Sequence, residues 1–184
     1  MAQQRKEPRQ PPPPLDPERL RALALRYVER FATSEAKLTR YLHRKLYERG
    51  WGGDATPPAA ARVEALVASL VSLGYVDDRA FGEARTRGLS RRGFGPRRVT
   101  ADLGAAGLKR ELAAELGETV DAQTAAERFA ERRRFGPYDR SPADPDRHRK
   151  QVAAMLRAGH GYDVVRRVLA GSVSEDEEFR EDEV

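Results

Sequence analysis

Arginine carries most of the chemical potential of this sequence. Between Arg79 and Arg110 the cations Arg79, Arg85, Arg87, Arg91, Arg92, Arg97, Arg98, Lys109 and Arg110 face only two acids, Glu83 and Asp102, a net charge of +7 over 32 residues. Guanidinium groups set in adjacent pairs, Arg91-Arg92 and Arg97-Arg98, suit carboxylate or phosphate oxygens, to which each donates parallel hydrogen bonds. Pro96 fits the first position of a helix, so Arg97 and Arg98 fall in its first turn, where cations oppose the dipole and a phosphate would relieve them. The competing reading is a solvated basic face, because 29 of the 34 basic residues are Arg and the chain lacks Ile and Asn, a pattern of G+C-rich coding. A second run, Arg132-Arg133-Arg134 with Arg128, either extends the patch or pairs with Glu127 and Glu131.

Other reactive groups are sparse. The three histidines, His43, His148 and His160, form no HExxH pair, and neither a GxSxG elbow nor a GxxxxGK[ST] phosphate loop occurs. His43 sits between Leu42 and Arg44 on an expected helix, and His160 follows a helix-terminating Gly. Asp77-Asp78 could serve a metal or acid-base chemistry, but between Gly74-Tyr75-Val76 and Arg79-Ala80-Phe81 the pair reads better as a helix start. Asp77 then caps the helix, Asp78 favours its positive end, and Tyr75 and Phe81 clamp the turn. Phe94 closes a turn in RRGFGP, and Tyr162 anchors the last helix. The expectation is a chain that is no enzyme and has no cofactor or metal.

The bulk composition bounds what can hold these side chains in place. Of 184 residues, Leu, Val and Phe make up 36 and Ile none, a thin supply for a large core, while Asp, Glu, Lys and Arg reach 34%. No Cys is present, which excludes disulfides, thiol nucleophiles and Cys-ligated metals and fits a reducing compartment. The start, MAQQRKEPRQPPPP, lacks the apolar core of a signal peptide, and nowhere do about 18 apolar residues run together, so no membrane role and a cytoplasmic location are expected. Residues Ser174 to Val184 hold seven acids and one Arg, a net of −6. The overall +5 therefore leaves +11 on residues 1–173. Residues 1–16, with Pro11 to Pro14, are expected to be a disordered Pro-rich segment, and 174–184 a disordered acidic tail.

Between those ends the apolar spacing is helical throughout. Asp16-Pro17-Glu18 supplies a cap, a first-position Pro and a first-turn acid before Leu20, Leu23, Tyr27, Val28 and Phe31. Thr33 or Ser34 caps a second helix with Leu38, Tyr41, Leu42 and Leu46, ending at Gly50; Pro57-Pro58 opens a third through Val63, Leu66, Val67, Leu70 and Val71 to Gly74. No strand pattern is evident. Aligning Gly50, Gly107 and Gly159 puts Leu46, Leu103 and Met155 in register four residues earlier. Leu112 with Leu116 and Val164 with Val168 then match five and nine residues later, as do Val63 and Val67 once the longer loop after Gly50 is discounted. The expected fold is all-α, with three tandem three-helix repeats over 17–74, 77–118 and 121–172 forming an elongated, curved helical array.

GYVDDRAFGEA, from Gly74 to Ala84, followed by RRGFGPRRVTADLGAAGL, from Arg91 to Leu108, resembles the bacterial RecX family. The family pattern maps onto Gly74, Tyr75, Val76, Asp77, Asp78, Phe81, Gly95, Pro96, Arg98, Val99, Leu103, Gly107 and Leu108. LTRYLHRKLYERG and VAAMLRAGHGYDVVRRVL, which contains Gly159, resemble its first and third units, so the likeness spans roughly 17–172. Gly82 departs from the usual Ala after the helix Phe, and GWGGDATPPA lengthens a loop. The resemblance implies three three-helix units that bind the RecA recombinase and its nucleoprotein filament and reduce ATP hydrolysis, strand exchange and coprotease activity, within homologous recombination, DNA repair and the SOS response. It implies no reaction of its own, and a monomer is expected. Arg85, Arg87, Arg91, Arg92, Arg97, Arg98, Lys109 and Arg110 would meet RecA carboxylates, DNA phosphates, or both.

Two other classes fit the same residues. An independent DNA binder, to single or double strands and without sequence preference, would hold DNA without RecA and lose affinity steeply with salt. A helical adaptor for another protein would show little of either.

Overall fold

The computed structural model describes residues 12–141 and 144–171. Among them lie nine α-helices, and the only strand-like pairing is a single parallel bridge between Leu15 and Trp51. The all-α expectation holds. The acidic tail and residues 1–11 lie outside the described residues. By compactness the chain divides into two units, one ending at Asp78 and one beginning at Arg79.

The first unit contains α1 (Pro17–Arg30), α2 (Glu35–Arg49) and α3 (Ala59–Ser72). Each helix starts where the sequence supplies a start signal. The Asp16 carboxylate accepts from the Arg19 N–H at 2.8 Å, with Pro17 behind it, and the Ser34 hydroxyl accepts from the Lys37 N–H. Pro57-Pro58 precede α3, and Arg62 folds back to donate to the Thr56 and Pro57 carbonyls. Leu20, Ala24, Leu38, Leu42, Val63, Val67 and Leu70 converge in one core, with Leu15 and Val76 added from outside the helices.

Leu15 extends the ordered chain beyond the first expected helix. It is fully buried, its N–H donates to the Gly50 carbonyl at 2.9 Å, and its carbonyl accepts from Gly52 at 2.8 Å. The Arg49 guanidinium donates twice to the Pro13 carbonyl, at 2.9 and 2.6 Å. An extended proline stretch makes no internal hydrogen bonds, so its carbonyls are open to such donors.

The second unit contains α4 (Asp78–Arg91) from Arg79 onward, α5 (Pro96–Ala106), α6 (Arg110–Glu118), α7 (Ala122–Arg133), α8 (Pro145–Arg157) and α9 (Tyr162–Ala170). One core gathers Leu89, Val99, Leu103, Ala106, Leu108, Ala113, Leu116, Val120 and Ala125; another gathers Ala126, Ala130, Met155, Val165, Val168 and Leu169. Adjacent alanines of α7, Ala125 and Ala126, serve different cores. Small side chains let one helix be approached closely on two sides, which explains how few large apolar residues suffice.

Of the aligned register positions, Leu103, Met155, Leu116, Val168, Val63 and Val67 are buried, while Leu46, Leu112 and Val164 are half-buried against the same cores. Gly82 is buried under two leucines: a Cβ there would stand 2.4 Å from Leu116 Cδ1 and 2.8 Å from Leu108 Cδ2. Those methyl groups occupy the space that an Ala side chain would fill.

Candidate functional site

The basic stretch is built around the turn from α4 to α5. Helix α4 closes with Gly93 at φ +82° and a bond from the Phe94 N–H to the Leu89 carbonyl at 3.1 Å. Phe94 therefore closes a turn, as its context predicts. The ring is half-buried, 6.5 Å from that of Phe129, and the guanidinium groups of Arg92 and Arg98 lie over it at 5.2 and 6.0 Å. Arg91, Arg92, Arg97 and Arg98 are all exposed, as are Lys109 and Arg110 before and within α6.

Pro96 occupies the first turn of α5 behind Gly95, and Arg97 and Arg98 follow it. A phosphate bound by the backbone at this helix end is not what the fold provides. The Gly95 N–H donates to the Ala158 carbonyl at 2.9 Å and the Arg97 N–H to the Gly159 carbonyl at 3.3 Å. The C-terminal end of α8 thus supplies the negative pole that faces the α5 N-terminus. Any anion met by Arg97 and Arg98 is met by their side chains.

Three arginines of α4 have intramolecular partners. Arg85 pairs with Asp102 of α5, and Arg87 approaches Glu83 at 3.8 Å. Arg79 makes two bonds to Glu115 of α6, at 2.7 and 2.9 Å, and this holds the Glu115 carboxyl below its usual range. In the second arginine run, Arg133 stacks over Phe135 at 5.6 Å and Arg134 is in the left-handed region at φ +56°.

Asp78 stands in the first turn of α4 as expected and adds a contact that its sequence context did not suggest. The Asp78 carboxylate accepts from the Glu35 N–H at 2.8 Å, so it serves the start of α2, 43 residues away, as well as standing in the first turn of α4. Asp77 precedes that turn and is exposed. Tyr75 is 57% exposed and does not clamp the turn; Val76, at 3%, is the residue that enters the core. Phe81 is half-buried against the core of α4, α5 and α6. Tyr162, expected to anchor α9, is 56% exposed at its first position.

His160 holds the α8–α9 turn to the α4–α5 turn. It is fully buried, and Nε2 donates to the Gly93 carbonyl at 3.0 Å, which leaves Nδ1 as the unprotonated nitrogen, buried with no partner among the described residues. Burial pushes its pKa below the ordinary 6.5, against the opposing bond from Gly93. His43 is half-exposed and pairs with Glu64 at 2.8 Å. His148 is exposed. No group of three or more His, Asp or Glu side chains able to hold a metal gathers among the described residues. No described helix is long and apolar enough to cross a membrane.

A cleft of about 330 Å³ opens between α4, the α6–α7 turn and α7. Its walls include Thr86, Arg87, Ser90 and Arg91 from α4, Thr119 from the turn and Arg128 from α7. The signal for it was present in the sequence: Thr86 and Ser90, like Arg87 and Arg91, are four residues apart and share a helix face.

Residues 77–116 match the family model described as RecX, second three-helix domain. The regulatory protein RecX of Myxococcus xanthus (strain DK1622) is 30% identical over 165 residues, covering 86% of this chain and 88% of that one. The regulatory protein RecX of Agrobacterium fabrum is 35% identical over 127 residues, covering 66% and 68%. Two solved structures share the fold. A crystal structure of regulatory protein RecX superposes with a TM-score of 0.63 at 16% identity, covering 83% of this chain and 72% of that one, and RecX from Lactobacillus salivarius gives 0.57 at 18%, covering 83% and 94%. With a relative 30% identical along 86% of the chain and the family model matched over 77–116, the chain belongs to the RecX family of regulatory proteins.

Proposed function

We propose that this protein binds the RecA recombinase, chiefly as its nucleoprotein filament on DNA, and restrains ATP hydrolysis, strand exchange and coprotease activity without catalysing a reaction itself. The observation that carries the reading is family membership along nearly the whole chain, with 86% of it aligned to one RecX relative. The exposed cations Arg91, Arg92, Arg97, Arg98, Lys109 and Arg110 support it, since a RecA–DNA filament offers both carboxylates and phosphates. Three tandem three-helix units, 17–74, 77–118 and 121–172, form the scaffold in this reading, and the protein acts as a cytoplasmic monomer. Occupying the filament groove would block strand access and the subunit movements that accompany ATP turnover.

The test is RecA ATPase on single-stranded DNA with this protein titrated in at fixed salt. Dose-dependent inhibition is expected. Unchanged ATPase, together with tight salt-sensitive binding to DNA alone, would replace this reading with an independent DNA binder.

A further inference from the structure

We propose that the cleft between α4, the α6–α7 turn and α7 is a binding site for a single phosphate group. Three guanidinium groups, of Arg87, Arg91 and Arg128, and three hydroxyls, of Thr86, Ser90 and Thr119, line a space of about 330 Å³, and no carboxylate is among the described lining residues. That volume is at the small end of ligand pockets. A tetrahedral oxyanion carries more charge and more acceptor oxygens than a carboxylate, and it suits three cations and the hydroxyl donors of Thr86 and Ser90 at once.

Thr86 is the second, independent pointer to a ligand. It is 6% exposed, and its hydroxyl is buried with no hydrogen-bond partner among the described residues. A helical threonine ordinarily satisfies its hydroxyl on the carbonyl one turn back. Here it does not, and a buried donor left unsatisfied destabilises the free protein unless something enters the cleft to accept from it. The hydroxyl of Thr119 donates to the Leu116 carbonyl, so its proton is not available to an anion and its part is to hold the wall in place.

The charge is held at this position before any ligand arrives. Arg91 is in the last turn of α4, where the helix dipole favours cations, and Arg87 is one turn earlier. Two acids approach these cations from outside the lining. Glu83 reaches Arg87 at 3.8 Å, and Asp121, whose oxygens accept from the Thr124 N–H and hydroxyl, faces the charge of Arg128. Val120, 6% exposed, supplies an apolar patch in the wall that limits water. The use of this site on a filament rests on the function proposed above; its phosphate chemistry does not.

The experiment follows backbone amide resonances of the full chain while inorganic phosphate is titrated at constant ionic strength, with chloride as the matched control. Shifts confined to Thr86, Ser90, Arg91, Thr119 and Arg128 are expected. Thr86→Val and Arg128→Gln should each weaken binding on the order of tenfold, with helical circular dichroism unchanged. Arg97→Gln with Arg98→Gln, outside the cleft, should leave it as it was. A short oligo-dT strand that competes for the same resonances identifies a nucleic-acid backbone as the source of the phosphate, and one that does not identifies a free phosphate; both outcomes uphold the site. Absent shifts, shifts spread over every basic residue, or affinity unaltered in both cleft variants would overturn it. Inhibition of RecA ATPase by the wild-type chain is scored separately, so loss of the site and loss of the RecA reading are distinct results.

Discussion

The backbones of Gly95 and Gly159 lie directly against each other, without room for a side chain on either. A Cβ on Gly95 would stand 2.5 Å from the Gly159 carbonyl oxygen, and one on Gly159 would stand 2.3 Å from the Arg98 nitrogen. This approach permits the hydrogen bonds that join the α5 N-terminus to the end of α8. It also sets where Arg97 and Arg98 emerge.

Gly159→Ala therefore combines two penalties, a left-handed backbone at φ +91° and a backbone collision. The expected loss is roughly 2–4 kcal/mol of unfolding free energy. Gly104→Ala is the control, because it lies within α5 with nothing within 4 Å of the added carbon, and it should gain about 0.5–1 kcal/mol through helix propensity. Urea denaturation of both variants checks the pair; equal effects would remove the contact as the cause.

Local signals made the helices legible. Asp16-Pro17, Ser34 and Gly107 each mark a boundary that the fold uses, because caps and left-handed closures depend on neighbouring residues alone. What the sequence concealed is long-range. Asp78 reads as a start signal for its own helix, yet its oxygen also reaches Glu35; His160 reads only as the residue after a helix-terminating Gly, yet it is buried on Gly93. Val76 and Tyr75 are adjacent in one apolar motif, and nothing in their spacing says which of the two enters the core. The arginine face was legible as charge, but not which members pair internally.

Arg85 illustrates that last distinction. Its pairing with Asp102 links α4 to α5, with side chains 38% and 19% exposed. Arg85→Gln should act on stability more than on partner binding, and Asp102→Asn should reproduce it. A double-mutant cycle is expected to show a coupling of about 0.5–1 kcal/mol. Additive losses in thermal denaturation would mean that the pair contributes nothing to holding the helices together.

Arg97 and Arg98 should behave in the opposite way. Both are exposed on the first turn of α5, so reversing them to Glu leaves the core untouched. Helical circular dichroism should be unchanged, while inhibition of RecA ATPase weakens on the order of tenfold or more. Where DNA phosphates are the contact, the salt dependence of binding should also flatten, by about one unit of slope per phosphate lost. Inhibition at wild-type levels would place the contact elsewhere.

His160 predicts a pH dependence of stability. Its pKa in the folded chain is below the ordinary 6.5 because burial disfavours the charged ring. Below pH 6.5 the unfolded chain takes up the proton first, so stability falls as pH drops through 6.5 toward the folded-state value and is unaffected by this group above that window. The carboxyls held low, Glu48, Glu115, Asp121 and Asp139, start from 4.5 or 3.8 and contribute only further into acid. Urea midpoints measured between pH 7.5 and 5 should therefore fall for the wild type and fall less for His160→Gln. An equal slope in the two proteins would assign the effect to another group.

Thr86 makes the cleft testable through stability alone. Its buried hydroxyl has no partner among the described residues, so Thr86→Val removes an unsatisfied donor at nearly constant shape. The variant should be more stable than the wild type in phosphate-free buffer, by about 1 kcal/mol. Adding phosphate should then stabilise the wild type in proportion to its occupancy and the variant much less, closing the gap between their melting temperatures. A position kept for ligand binding at the expense of stability gives that crossing pattern; a hydroxyl that is merely tolerated gives a gap that phosphate does not change.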